Sequence, residues 1–295
     1  MYPFFVSIEP AAVCQLYCPQ CPVGQANARH TRPISPADQI LSIERFIHVL
    51  HALPRSVRVM QFYFQGEPTL NPHLPEMIHM ARMRKIHCIV STNAQSISAD
   101  YASRLVRSGL NRIIVSMDGL TQHSYEQYRI GGDIQKTKQA LHLLREQRDI
   151  LKANTPIIEL QCLRLKSNEQ QWQQMQQTYR LLGADKLTFK TAQFYDFSRG
   201  NPLMPTNPRF NRYHLGSDGQ WHIPRTRFCL RLLTGCVITT TGDVLPCCYD
   251  KDRNYPFGNI LNQSFYAIWH GAVRRDFLKR VFLGAGFPMC YNCVQ

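Results

Sequence analysis

The sequence predicts an α/β fold built on parallel strands, followed by a smaller cysteine-rich segment. Two observations carry this. From residue 1 to about 190, short runs of β-branched and aromatic residues alternate with longer segments of helical apolar spacing. From Cys229 onward the composition changes, and six of the eleven cysteines fall between residues 229 and 293. At 295 residues and 44% apolar content, the chain can bury a substantial core, as one large domain or as a main domain with a small one.

The strand candidates are Phe4–Ile8, Val57–Phe64, Ile86–Ser91, Arg112–Met117, Ile157–Leu163 and Lys186–Phe189. Between them, apolar residues recur at i, i+3 and i+4: Ile43, Phe46, Ile47 and Leu50; Met77, Ile78 and Ala81; Leu105 and Val106; Ala140, Leu141 and Leu144. That spacing gives a helix one buried face. Ser35-Pro36, with Asp38 in the first turn, reads as a helix start, and so does Ser167-Asn168 before Glu169–Leu182. Six β–α units in succession imply parallel strands with right-handed crossovers, in an open sheet or a partial barrel. In the tail, Val237–Thr241 and Asp243–Leu245 flank Gly242 as a short hairpin, and a helix is expected over about Ala272–Leu283.

Cys14, Cys18 and Cys21 stand as C-x3-C-x2-C just after the first strand. Three thiolates on one tight loop can hold three irons of a 4Fe–4S cube and leave the fourth without a protein ligand. An open metal position distinguishes a catalytic site from a closed structural one. A structural zinc site is the other reading, but zinc normally takes four ligands in paired spacing, and the local count here is three.

No run of about 18 apolar residues is present, so no membrane span is expected. The N-terminus has no basic segment and no small-residue cleavage site, so it does not read as a signal peptide. Cysteines without an export signal point to metal or redox use in a reducing compartment, here the cytoplasm. The net charge of +14 raises the question of an anionic partner. The charges are scattered, however. Arg209, Arg212, Arg225, Arg227 and Arg231 form the nearest basic segment, and Arg274, Arg275, Lys279 and Arg280 share one expected helix. There is no lysine-rich arm or RNA-binding aromatic motif, so a solvated basic surface is favoured over a nucleic-acid site.

Every polar motif follows a strand: the cysteine loop the first, Gln65-Gly66-Glu67-Pro68 the second, Ser91-Thr92-Asn93 the third, Ser116-Met117-Asp118-Gly119 the fourth. In parallel folds, ligands gather at these strand ends. The cysteine spacing and these segments resemble the radical S-adenosylmethionine (SAM) superfamily over about 190 residues. The resemblance implies a partial (β/α)6 barrel. It also implies that SAM occupies the open iron, and that Gly66, Glu67, Ser91, Asn93, Ser116 and Arg129 bind it. Gln65 stands where the family's GGE motif has its first glycine. Gln20 stands where many relatives carry an aromatic residue near the adenine.

The tail, with Gly242-Asp243-Val244-Leu245-Pro246-Cys247-Cys248, Gly258-Asn259-Ile260, Ile268-Trp269 and the closing Cys290-x2-Cys293, resembles the SPASM/twitch extension of that superfamily. This implies an auxiliary 4Fe–4S cluster on Cys229, one of Cys247 or Cys248, Cys290 and Cys293. A zinc-ribbon-like site is the alternative for the tail taken alone. Cys88 and Cys162, on expected strands, read as buried apolar residues. Cys236 and the spare member of the Cys247/Cys248 pair are unassigned; either is a candidate hydrogen-atom donor, Cys236 first, with an inert thiol as the other reading. The expected divisions are a barrel over 1–190, a bridging segment over 191–228 that lines the substrate pocket, with Lys190 and Tyr195 as candidate pocket residues, and the auxiliary-cluster domain over 229–295.

The expected function is a radical SAM enzyme. It cleaves SAM reductively, abstracts a substrate hydrogen atom, and carries out an oxidation, an epimerisation or a peptide modification. It would need a one-electron reductant protein of the flavodoxin or ferredoxin type. Because the cysteine motif begins within 14 residues of the start, a small or carrier-presented substrate, or a peptide delivered by another protein, is expected. RNA modification and a non-catalytic zinc-binding interaction module are the competing functions.

Overall fold

The computed structural model describes residues 2–31, 34–224, 229–284 and 286–293. Its strands are β1 (Phe5–Ile8), β2 (Val59–Phe62), β3 (His87–Thr92), β4 (Arg112–Ser116), β5 (Ile157–Arg164), β6 (Lys186–Thr191), β7 (His214–Leu215), β8 (Trp221–His222), β9 (Gly235–Ile238), β10 (Asp243–Leu245) and β11 (Gly258–Asn259). The α-helices are α1 (Pro22–Ala28), α2 (Ile43–Ala52), α3 (Leu74–Met83), α4 (Ala99–Arg107), α5 (Gln122–Glu126), α6 (Ile134–Ile150), α7 (Trp172–Thr178), α8 (Arg231–Thr234), α9 (Phe265–His270) and α10 (Ala272–Phe282). No helix among the described residues is long and apolar enough to cross a membrane. Arg225 and Arg227 of the basic segment lie outside the described residues.

All six expected strands form, with ends shifted by a residue or two. Two helix starts differ. Ser35-Pro36 opens only a 3-10 turn, Pro36–Asp38. The chain is then drawn out, because Leu41 N donates to the Pro10 carbonyl at 2.9 Å and Ile40 bridges Ala11. The long helix α2 starts afresh at Ser42, whose hydroxyl accepts from Arg45 N at 3.2 Å and so caps an orphan donor. Likewise the helix expected over Glu169–Leu182 is a 3-10 turn, Lys166–Gln171, followed by the short α7. Asn168 is turned inward there, donating to the carbonyls of Asp118 (3.0 Å) and Leu163 (2.8 Å), so its side chain serves the strand ends.

Compactness divides the chain into two units. One comprises Met1–Cys14, Arg32–Ile89 and Pro224–Gln295; the other comprises Gln15–Thr31 and Val90–Ile223. In the first, the strand order is β11-β10-β9-β1-β2. There β1 runs parallel to both β2 and β9, with Val6 opposite Met60 on one side and Cys236 on the other. The strands β9 and β10 form the expected hairpin, turning at Gly242, whose φ of +87° suits a residue without Cβ. The cysteine-rich tail therefore extends the β1–β2 sheet. Val6, Ile8, Phe46, Met60, Phe62 and Met77 fill the core of this unit.

In the second unit β4, β5 and β6 are parallel neighbours. The alternate residues Ile113, Val115, Ile158, Leu160 and Cys162 are fully buried, as strands covered by helices require. Leu141 and Leu144 of α6 supply the facing apolar stripe. The basic surface expected from the charge count is partly internal. Arg274 is buried against the Trp269 ring, its guanidinium carbon 3.6 Å from the centroid, and it donates to the carbonyls of Trp269 and Leu232.

Candidate active site

In the first unit, β1 leads to Cys14, which is half-buried. The loop after β2 packs on the backbone before Cys14. Glu67 N donates to the Val13 carbonyl at 2.7 Å. A Cβ on Gly66, whose φ is +21°, would stand 2.0 Å from the Ala11 oxygen and 2.8 Å from the Val13 oxygen. Only glycine fits that approach, because the obstacles are backbone atoms. The carboxylate of Glu67 is buried, and its Oε1 accepts from Thr69 N (3.0 Å) and Thr69 Oγ1 (2.7 Å), capping the 3-10 turn Pro68–Leu70. Asn71, also buried, donates to the carbonyls of Pro10 and Leu41 at 2.9 Å each. The amide of Gln65 donates to the Lys251 carbonyl, which gives this departure from the GGE motif a contact of its own.

In the second unit, Cys18 is buried and Cys21 half-buried. Cys21 ends the loop by preceding the first residue of α1, Pro22, a position where the missing N–H costs nothing. A Cβ on Gly24 would lie 2.4 Å from the Cys18 oxygen and 2.6 Å from its nitrogen. The glycine therefore lets α1 close onto the cysteine loop. Asn27 and Gln25 of the same helix donate to the carbonyls of Leu16 (2.9 Å) and Pro19 (2.8 Å). These three supports escaped the sequence reading; the signal was there, in a glycine and two amides at helical spacing after the third cysteine. Gln20 accepts from Tyr195 N at 2.7 Å, so its amide braces the chain after β6.

The strand ends supply the rest. Asp118, after β4, is fully buried. Its Oδ2 accepts from Arg129 Nε at 2.6 Å, and its Oδ1 from Leu163 N at 2.6 Å. Arg129 Nη1 stands 4.0 Å from the Cys18 sulfur. Burial works against the charge on Arg129, but the Asp118 carboxylate and the Cys18 sulfur hold its pKa well above the usual value. The thiol of Cys18 is pushed up by burial, with Arg129 drawing it down and Cys21 raising it further. A cation beside a cysteine favours its thiolate form. Asn93 Oδ1 accepts from Gln95 N (3.0 Å) and Gln15 Nε2 (3.3 Å). Ser91 is half-buried on β3, and Ser116, buried, ends β4. Lys190 is exposed near the end of β6, and Tyr195 is 42% exposed.

The tail cysteines separate into two groups. Cys229, Cys247, Cys290 and Cys293 line one cavity of about 530 Å³, with Tyr249 and Met289. Cys290 and Cys293 are brought to it by a 3-10 turn, Pro288–Asn292, held by Cys293 N donating to the Cys290 carbonyl at 3.2 Å. Burial raises the Cys247 thiol, and Cys248, Cys229 and Cys293 raise it further. Cys248 accepts from Arg231 Nη1 at 3.2 Å and does not line the cavity.

Cys236 is 1% exposed on β9, and burial pushes its thiol up to about 12. Cys88 and Cys162 are fully buried strand residues, as expected. Among the described residues no three His, Cys, Asp or Glu side chains converge on a single metal ion. In a cube each thiolate takes a different iron.

The sequence matches the Radical SAM superfamily over residues 8–158 and the iron-sulfur cluster-binding domain SPASM over residues 229–294. The chain belongs to the radical SAM superfamily and carries a C-terminal SPASM domain. It is 23% identical over 296 residues to an AdoMet-dependent heme synthase of Nitratidesulfovibrio vulgaris, covering 90% of this chain and 78% of that protein. It is 24% identical over 312 residues to a PqqA peptide cyclase of Streptomyces rochei, covering 98% and 80%. The solved structure of native anSMEcpe with bound AdoMet superposes with a TM-score of 0.68 at 17% identity, covering 95% of this chain and 84% of that one. The fold is thus the α/β partial barrel of these enzymes with a cysteine-rich extension. The cofactors that follow from the family are SAM, the 4Fe–4S cluster that binds it, and auxiliary iron–sulfur.

Proposed function

We propose that this enzyme cleaves SAM reductively and oxidises a small-molecule or peptide substrate by removing a hydrogen atom and then an electron. Cys14, Cys18 and Cys21 would hold the SAM-binding cluster, and Cys229, Cys247, Cys290 and Cys293 the auxiliary one. When bound, the first cluster and SAM supply a 5′-deoxyadenosyl radical, and the auxiliary cluster supplies an acceptor for the electron left on the substrate. The observation that carries the oxidation reading is the four-thiol cavity. A full set of protein ligands leaves no iron open to substrate, which suits electron transfer. The burial of Cys236 supports oxidation over an epimerisation that would use this thiol as its hydrogen-atom donor.

The chain's own residues do the positioning. Gly66 lets the loop after β2 lie on the backbone before Cys14, and it would thereby bring the Gly66–Glu67 segment to the SAM ammonium. Ser91, Asn93 and Ser116 offer hydrogen bonds at the ends of β3 and β4. Arg129, held by Asp118, presents its remaining guanidinium N–H groups to a carboxylate. The reductant would be a flavodoxin- or ferredoxin-type protein, and a reducing cytoplasm would preserve the clusters.

The reading is tested by metal analysis after anaerobic reconstitution. About eight irons per chain are expected for two cubes. Zinc without iron would overturn it and would favour an interaction module.

A further inference from the structure

Glu9 is a buried charged group outside the two cysteine sites. It directly follows β1 and is fully buried. Both its carboxylate oxygens accept from Arg253 Nη2 at 3.0 Å, and Oε2 also accepts from Thr240 N at 3.3 Å. Its carboxyl accepts a backbone hydrogen bond from Gln65 as well. Arg253 sits at φ +57° in the turn after Cys247-Cys248. That turn is closed by Asp250, which accepts from Asn254 N (2.9 Å) and Tyr255 N (3.0 Å). Gln65 reaches the same turn from the other side, through its amide on the Lys251 carbonyl. The turn is thus fixed at Lys251 and at Arg253. Its two anchors adjoin the stem of the first cysteine loop and Gly66.

We propose that Glu9 and Gln65 are positioning residues that couple the Gly66–Glu67 segment to the Cys247 turn. The physical basis is geometric. A buried carboxylate that accepts from a guanidinium and two backbone N–H groups has little freedom, and the turn it holds carries a cavity-lining sulfur. A shift of the loop after β2 on ligand binding therefore moves the Lys251 carbonyl and the Arg253 guanidinium with it. Coupling between two binding sites is reciprocal. SAM held against Gly66 changes the surroundings of the auxiliary cluster, and reduction of that cluster changes the affinity for SAM. The inference rests on the assignment of Gly66–Glu67 to SAM and Cys247 to iron.

Two readouts test it, using wild type, Gln65→Ala and Glu9→Gln. In the apo-protein, amide hydrogen exchange over residues 247–255 is expected to speed up about tenfold in either variant, since the turn loses an anchor. In the reconstituted, reduced protein, SAM is expected to alter the electron paramagnetic resonance signal of the auxiliary cluster in wild type and to leave it unchanged in Gln65→Ala. Gln65 is half-buried, so this variant serves if Glu9→Gln does not fold. Unchanged exchange in both variants, or a Gln65→Ala signal that responds to SAM as wild type does, overturns the coupling. A wild type that cleaves SAM while its auxiliary signal ignores SAM overturns the coupling alone. A wild type that takes up no iron and makes no 5′-deoxyadenosine overturns the underlying reading and the coupling with it.

Discussion

Replacing Asp118 with Asn keeps the shape of the side chain and removes its charge. The carboxylate is fully buried, 2.6 Å from Arg129 Nε and 2.6 Å from Leu163 N. Removing one partner of a buried ion pair costs about 3–5 kcal/mol, because the other charge stays buried without compensation. An asparagine oxygen can still accept from Leu163 N, so the lower end, about 3 kcal/mol, is expected. That is a large fraction of the roughly 5–15 kcal/mol by which a domain is stable. The assay is anaerobic urea unfolding of the apo-protein, followed by circular dichroism. The double variant Asp118→Asn/Arg129→Met separates the causes. If stranded charge is the cost, the double variant is more stable than Asp118→Asn alone. Asp118→Asn within about 0.5 kcal/mol of wild type, or a double variant that loses the sum of the two single losses, would refute the reasoning.

Gly66→Ala places a methyl 2.0 Å from the Ala11 oxygen, whereas Gly219→Ala, at φ +73°, meets nothing within 4 Å. The first is expected to weaken SAM binding at least about tenfold and the second to cost only about 1 kcal/mol of stability; equilibrium dialysis and unfolding measure the two. Glu9 has a carboxyl raised by burial from 4.5 to about 7, with Arg253 pulling it down. Its contribution is complete below pH 4.5 and is lost as the pH rises through about 7. The stability of wild type relative to Glu9→Gln should therefore fall across that window by up to about 3 kcal/mol; unfolding at a series of pH values measures it, and a flat difference would contradict it. Cys247→Ser should remove about four irons per chain and Cys248→Ser should remove none, counted after reconstitution. Loss of iron in Cys248→Ser would reverse the assignment.

The strands were legible because each carries its own signal. Six β-branched runs between turn residues appear in the structure nearly as the alternation places them. Helix starts were less legible where two serines competed. Ser35-Pro36 has the better local signal, but the Leu41–Pro10 hydrogen bond, a long-range contact, moves the start to Ser42. The pairing of β9 with β1 is non-local, and neither strand announces its neighbour. In the candidate site, the sequence singles out residues whose type chemistry dictates, and the structure gathers Cys229, Cys247, Cys290 and Cys293 around one cavity and sets Arg129 beside Cys18. Its supports were not. Gly24, Asn27 and Glu9 act through close approach or backbone carbonyls, which leave a weak trace in composition. The choice between Cys247 and Cys248 depends on which way two adjacent side chains point, and the structure turns Cys247 to the cavity and Cys248 to Arg231.

The most direct test compares 5′-deoxyadenosine made from SAM and dithionite, without oxygen, by reconstituted wild type and by Cys14→Ala. The product is expected with wild type and absent with the variant, because two thiols no longer secure the iron that SAM must reach. Equal amounts from both proteins would contradict the assignment of that loop.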